Sequence, residues 1–220
     1  NIIWSLSEDA RGTIWIGTYG GGVSRFRDGR FSTLNTRDGL SNDFVRALLS
    51  DREGSLWIGT YSGGLSRLRD GKFTAYSRRE GLSHDFARAV FEDSRGNLWV
   101  GTTGGGFCRM KDDVFRCFGP GDGFVGDREG HASDVRAFYE DDSGALWIGT
   151  AGAGLFRYAD GQFRRYSTRD GLPHGNVTSL SPDGKGGLWI GTNGGGLVHF
   201  GGGKWTVKRI AEGGAGNFVI

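Results

Sequence analysis

A tetrapeptide, Trp-Ile-Gly-Thr or its variant Trp-Val-Gly-Thr, occurs five times in this chain, with its tryptophans at Trp15, Trp57, Trp99, Trp147 and Trp189. The intervals between them are 42, 42, 48 and 42 residues. A unit of that length cannot bury an apolar face alone. A period of about 40–50 residues therefore implies stacked units, as in a solenoid, a propeller or another array.

The second unit shows the internal plan. Phe44-Val45-Arg46-Ala47-Leu48-Leu49 reads as a strand closed by the turn residues Ser50 to Gly54. Ser55 to Thr60 is a second strand, apolar at consecutive positions as for a strand covered on both faces. Ser62-Gly63-Gly64 reverses the chain into a third strand, Leu65 to Arg69. Asp70-Gly71 is a two-residue hairpin signal, and Phe73 to Ser77 is the fourth strand. No segment has a helical period. Four antiparallel strands in about 42 residues describe one propeller blade. The expected fold is thus all-β, a β-propeller of four-stranded antiparallel blades, with five repeats forming either a five-bladed ring or part of a larger one. Expected blade limits are 1–42, 43–84, 85–132, 133–174 and 175–216 in one domain, with 217–220 opening a further strand.

The same punctuation recurs in every unit, so the 43 glycines are turn chemistry rather than low complexity. The hairpin departs from Asp-Gly twice, as Asp112-Asp113 and as Gly201-Gly202-Gly203. The linkers are Asp38-Gly39-Leu40, Glu80-Gly81-Leu82, Asp122-Gly123-Phe124 and Asp170-Gly171-Leu172. The six extra residues of the long interval fall within Gly119 to His131, an enlarged loop.

A net charge of +2 gives no electrostatic footprint for nucleic acid. No stretch approaches the roughly 18–20 apolar residues of a membrane span, so no membrane insertion by this segment is expected. Opening at Asn1 inside a first-strand phase, the sequence reads as a mature product or an excised segment. If blades are left unclosed, self-association through their edges is a further expectation. Cys108 and Cys117 flank the Asp112-Asp113 turn symmetrically, at a non-hydrogen-bonded pair where side chains approach closely. Either a disulfide of an oxidising compartment or two reduced half-buried thiols fits that placement.

The repeat, written Asp-x-x-Gly-x-Leu-Trp-Ile-Gly-Thr, a glycine turn, Gly-Leu-x-Arg, then Asp-Gly-x-Phe-x-x-Tyr, resembles the two-component regulator propeller repeat. Its clearest copies run from Asp93 to Thr102, Gly64 to Tyr76 and Asp170 to Thr192. The resemblance covers essentially the whole chain. It implies the extracytoplasmic, ligand-sensing part of hybrid histidine kinases and related receptors, hence a periplasmic or extracellular setting and a role in signal transduction. Such receptors often respond to polysaccharide fragments. The family's longer arrays, β-sandwich, membrane span and kinase have no counterpart in these residues.

Candidate chemistry is sparse. The five tryptophans sit among apolar neighbours, which favours inter-blade core over a sugar platform. The first strand of a propeller blade lines the channel, and one equivalent position there holds Trp4, Arg46, Arg88, Arg136 and Thr178. Three consecutive arginines could offer forked donors to carboxylate or sulfate, or pair with Asp43, Asp85 and Asp134. His84, His131 and His174 enter the first strands of their blades and, with Arg46, Arg88 and Arg136, are the candidate ligand-binding residues of the channel mouth. Flexible loops on separate blades favour exposed histidines over a zinc site, so neither metal nor cofactor is expected. The recurring carboxylates Asp9, Asp51, Asp93, Asp141 and Asp183 suit turns, and the cluster Asp122, Asp127, Arg128, Glu129 and His131 names no reaction, so no catalytic residue is assigned. The favoured function is non-catalytic recognition of an anionic oligosaccharide or small carboxylate at the channel mouth. The alternatives are a propeller lyase, or an assembly scaffold without a small ligand.

Overall fold

The computed structural model describes residues 2–125 and 134–208. It falls into two compact units, Asn1–Cys117 and Phe118–Ile220. The described residues form five four-stranded sheets, in each of which the strands lie in sequence order and pair antiparallel. The first sheet comprises β1 (Ile3–Glu8), β2 (Ile14–Thr18), β3 (Val23–Arg27) and β4 (Arg30–Leu34). The second holds β5 (Val45–Ser50), β6 (Leu56–Thr60), β7 (Leu65–Arg69) and β8 (Lys72–Tyr76). The third holds β9 (Ala87–Glu92), β10 (Leu98–Thr102), β11 (Phe107–Lys111) and β12 (Val114–Phe118). The second unit contains β13 (Val135–Glu140), β14 (Leu146–Thr150), β15 (Leu155–Ala159) and β16 (Gln162–Tyr166), then β17 (Val177–Pro182), β18 (Leu188–Thr192), β19 (Gly196–Gly201) and β20 (Lys204–Lys208). The chain is all-β and propeller-like in its blades.

Each recurring residue has a physical task. The tryptophan indole N–H donates to the aspartate six residues earlier: Trp57 to Asp51 at 2.7 Å, Trp99 to Asp93 at 2.8 Å and Trp147 to Asp141 at 2.9 Å. The other oxygen of that carboxylate accepts turn N–H groups, as Asp93 does from Arg95 and Asn97. Burial pushes the Asp93 carboxyl up, but these donors outweigh it and hold the group below its ordinary value. The threonine hydroxyl donates to the glycine that closes the next reversal, Thr60 to Gly64 and Thr150 to Gly154. The tetrapeptide glycine is a matter of room. A Cβ on Gly59 would lie 2.7 Å from the Ala87 carbonyl oxygen, and one on Gly149 2.6 Å from Val177, both on the first strand of the next sheet.

Those next-sheet contacts build the core. In the first unit Trp57, Leu65 and Tyr76 pack with Ala87, Leu98, Val100 and Met110 of the following sheet. Trp15 and Val23 likewise meet Val45, Leu56 and Ile58. In the second unit Trp147, Leu155 and Tyr166 meet Val177, Leu188 and Ile190. Trp189 departs from this core role: it is only half-buried, because no described sheet follows it in the chain. At the other end Leu6 is 64% exposed, whereas its equivalents Leu48 and Val90 pack onto the preceding sheet's cluster.

The linkers are more ordered than loops. Asn35, Ser77 and Ser167 each cap a single 3-10 turn, with Asp38, Glu80 and Asp170 reaching back to complete a capping box. Gly39 follows at φ +106°, a left-handed stop that glycine adopts without strain, and Leu40 then enters the core. The third linker keeps this plan through Pro120–Asp122 and buried Phe124. Within the enlarged loop the shared plan thus extends through Phe124; its residues 126–133, with Asp127, Arg128, Glu129 and His131, lie outside the described residues, as do 217–220. Cys108 and Cys117 form a disulfide across β11 and β12. No described helix is long and apolar enough to cross a membrane.

Candidate functional site

The first strand of every sheet is irregular at one place. Val45 faces Thr60 while Ala47 faces Gly59, so Arg46 is an extra residue in the pairing. The same shift surrounds Trp4, Arg88, Arg136 and Thr178. These are β-bulges, which kink a strand and re-aim the extra side chain. The position singled out by sequence phase is thus held in a special backbone geometry in all five sheets.

Just before each bulge lies a second constant feature. The residue after the tetrapeptide donates its backbone N–H to the carbonyl of the residue that enters the first strand. The pairs are Tyr19 to Ile2, Tyr61 to Phe44, Thr103 to Phe86, Ala151 to Asp134 and Asn193 to Asn176. The backbone bridge is constant while the side chains vary.

In the first unit four of the six side chains, Tyr19, Phe44, Tyr61 and Phe86, are aromatic, the other two being Ile2 and Thr103. Trp4, Tyr19 and Phe44 form an edge-to-face run with ring centroids 4.7 and 4.8 Å apart, and Tyr61 lies 4.3 Å from Phe86. The Arg46 guanidinium sits 4.4 Å over the Trp4 ring, and that of Arg88 lies 5.9 Å from Phe86. Tyr19 and Tyr61 remain about half exposed, at 49% and 52%. Asp43 and Asp85 accept from the linker N–H groups of Thr36 and Arg78. Apart from Trp4, these aromatics escaped the sequence reading. The signal was present in the tetrapeptide's uneven successors: Tyr19, Tyr61, Thr103, Ala151 and Asn193.

The histidines do something narrower. His84 Nδ1 accepts the N–H of Phe86 at 3.0 Å, and His174 Nδ1 that of Asn176 at 3.1 Å. Asn42 makes the same bond to Phe44 at 2.9 Å. Both imidazoles therefore close the loop entering a first strand, leaving Nε2 for other partners. His131 lies outside the described residues. Among the described residues no three His, Cys, Asp or Glu side chains are grouped to hold a metal ion.

Among the described residues, four buried polar side-chain atoms have no hydrogen-bond partner: Ser5 Oγ, Thr103 Oγ1, Arg136 Nε and Asn176 Oδ1. All four belong to the same phase of the repeat, at a bulge or its entry bridge. A buried polar group without a partner costs roughly 1–3 kcal/mol, and such groups call for a water or ligand to satisfy them.

A family profile described as two component regulator propeller matches residues 1–20, 39–62, 81–104, 129–152 and 171–194, together more than half of the chain. Among solved structures, the chain is similar to the extracellular domain of a protein described as a hybrid two component system of B. thetaiotaomicron. The TM-score is 0.79 and the identity 28%, over 94% of this chain and 28% of that one. The present chain thus spans under a third of that structure's length. Virginiamycin B lyase from Staphylococcus aureus matches with a TM-score of 0.76 at 16% identity, over 96% of this chain and 71% of the enzyme. A gluconolactonase from Xanthomonas campestris gives 0.59 at 17%, over 87% and 69%. These two likenesses concern the fold alone. No curated protein sequence matches. Five in-phase matches to one repeat profile, on five sheets of matching plan, place the chain in the two component regulator propeller family.

Proposed function

We propose that this chain is a non-catalytic recognition module of an extracytoplasmic sensor, and that it binds an acidic oligosaccharide where the first strands begin. The observation carrying this proposal is the pairing of half-exposed aromatic rings with arginines on bulged strands. Tyr19 and Tyr61 offer faces on which a sugar ring can lie, while Arg46 and Arg88 stand on Trp4 and Phe86. Guanidinium groups offer forked donors to a uronate or sulfate that neutral sugars cannot exploit. His84 is a supporting contact in the first unit, and Arg136, whose Nε is buried without a partner among the described residues, and His174 hold the equivalent strand entries of the second unit. An extracytoplasmic setting accords with the Cys108–Cys117 disulfide and with the extracellular neighbour.

Calorimetric titration with oligogalacturonate and with a neutral oligosaccharide of equal length tests this. The acidic ligand should bind the wild type and lose at least about tenfold in affinity when Arg46, Arg88 and Arg136 all become alanine. Equal binding by wild type and the triple variant, or preference for the neutral ligand, would return these arginines to a structural role.

A further inference from the structure

The second unit contains a cleft of about 400 Å³ between its two sheets, walled by Tyr139, Trp147, Arg157 and Phe200. Its opposite rim is almost bare, being formed by Gly186, Gly187 and Gly201 to Gly203. The first unit contains the same construction in a filled state. There Arg67 stands across from Trp57 on β7, and Tyr76 ends β8. From the next sheet's hairpin, Asp113 reaches back to both: its Oδ1 accepts the Tyr76 hydroxyl at 2.9 Å and pairs with Arg67 at 3.6 Å.

In the second unit Arg157 and Tyr166 occupy the equivalent positions, across from Trp147 and at the end of β16. The arginine–tyrosine pair occurs in only these two sheets among the five, since the other sheets end β4, β12 and β20 on Leu34, Phe118 and Lys208. The hairpin residue facing it is Gly203, which has φ +74° where Asp113 has φ +60° and carries no side chain. The carboxylate that serves the pair in the first unit is missing. Arg157 turns instead toward Asp141 at 3.3 Å and Ser143 at 2.9 Å. These two bonds use its Nε and Nη2, and Tyr166 is buried against the Phe200 and Trp205 rings.

We infer that this cleft binds a small monocarboxylate, whose carboxylate pairs with Arg157 beside Gly203, as Asp113 pairs with Arg67 in the first unit, and whose flat apolar body lies against Phe200. The single charge follows from the acids of the lining: Asp141 already shares Arg157 and Asp142 is exposed at the opening, so a second negative group on the ligand would be repelled. The apolar body follows from the aromatic walls and the side-chain-free glycine rim, which leaves room for a ring. This site is separate from the bulged strand entries and uses none of their residues.

Fluorine NMR with 4-fluorobenzoate, and with 4-fluorobenzamide as its uncharged counterpart, reads the site directly. The benzoate should bind the wild type and the amide should not. Gly203→Asp restores the internal acid, and the ideal Cβ position at Gly203 has no neighbour within 4 Å. The left-handed backbone at φ +74°, which Asp113 also adopts, should lower its melting temperature slightly without unfolding it, while benzoate binding weakens at least about tenfold, the loss expected with a charge-assisted hydrogen bond. Arg157→Gln should lose as much by removing the partner instead of filling its place. The Arg46/Arg88/Arg136 triple alanine variant should bind benzoate like wild type. Failure of the wild type to bind, equal binding of the amide, or full affinity in Gly203→Asp and Arg157→Gln would overturn the inference.

Discussion

The strand entries of the two units share a backbone and a bulge arginine but differ in most of the side chains around it. In the first unit the bridge between tetrapeptide and first strand presents Tyr19, Phe44, Tyr61 and Phe86, with Arg46 and Arg88 lying on aromatic rings. In the second unit the same bridge presents Asp134, Ala151, Asn176 and Asn193, with Arg136 and Thr178 at the bulges. The hydrogen bonds that form the bridge are main-chain, so they tolerate any side chain. Tryptophan, glycine, threonine and aspartate recur because packing and turn geometry require them. The positions between them are where the two units were able to diverge.

The constant part is the place to expect the largest effects, and also the sharpest test of whether the units are equivalent. Trp57→Ala and Trp147→Ala each remove a buried ring from an inter-sheet cluster and should cost about 3–5 kcal/mol. Trp189→Ala should cost clearly less, since its ring is half-buried and the indole contacts His199 at 4.6 Å. Chemical denaturation of the three variants checks the ranking. A Trp189→Ala loss equal to the others would mean that another surface covers this ring.

The turn carboxylates offer a smaller contrast. Asp93 is buried and binds its indole, whereas in the fifth sheet Asp183 binds the His199 ring at 2.7 Å in place of an indole. The His199 hydrogen bond holds the Asp183 carboxyl down at about 2, and donors outweighing burial hold Asp93 below its ordinary range. A carboxyl lowered by folding stabilises above its unfolded value, and that contribution is lost as pH falls through the folded one. Stability should therefore be flat near neutrality and fall below about pH 4 as Asp93 and its lowered counterparts Asp9 and Asp141 begin to take up protons. Asp93→Ala should remove roughly 2–3 kcal/mol at pH 7, with buried donors left unpaired, and flatten the acid limb. Melting profiles between pH 2 and 7 read both, and an unchanged acid limb in Asp93→Ala would exclude this carboxylate as its source.

How much of this was visible in the amino acids depends on what repeats. Strand order, the hairpins and the tryptophan faces were legible because each is dictated by a residue type recurring at fixed spacing. The bulges were not. Val45-Arg46-Ala47 alternates as any strand would, and only the partner strand shows that Arg46 is the extra residue. The 3-10 linkers were read as plain connections although Ser77 and Glu80 spell a capping box. The single turn is too short to leave a helical period. His84 and His174 were recognisable as loop residues, but their bonding to backbone N–H groups, like that of Asn42, depends on a turn shape that composition does not encode. The aromatic run was hidden for another reason: Trp4, Tyr19 and Phe44 are far apart in sequence and meet only when two sheets stack.

The smallest expected effect on folding is the most telling about function. Tyr61 is half exposed and its main contact is the Phe86 ring, so Tyr61→Ala should cost only about 0.5–1 kcal/mol. Asn193, its counterpart in the fifth sheet, should cost no more than that when changed to alanine, because its bridge to Asn176 is made by the backbone N–H. If the aromatic strand entries seat an acidic oligosaccharide, the two variants separate sharply in binding. Tyr61→Ala should lose about tenfold in affinity for oligogalacturonate by removing a face on which a sugar ring lies, while Asn193→Ala should bind like wild type. Titrating both under one salt condition matters, because the charge contribution is screened and would otherwise blur the comparison. Equal losses would assign recognition to both kinds of strand entry, and equal retention would mean that the aromatic rings serve packing alone.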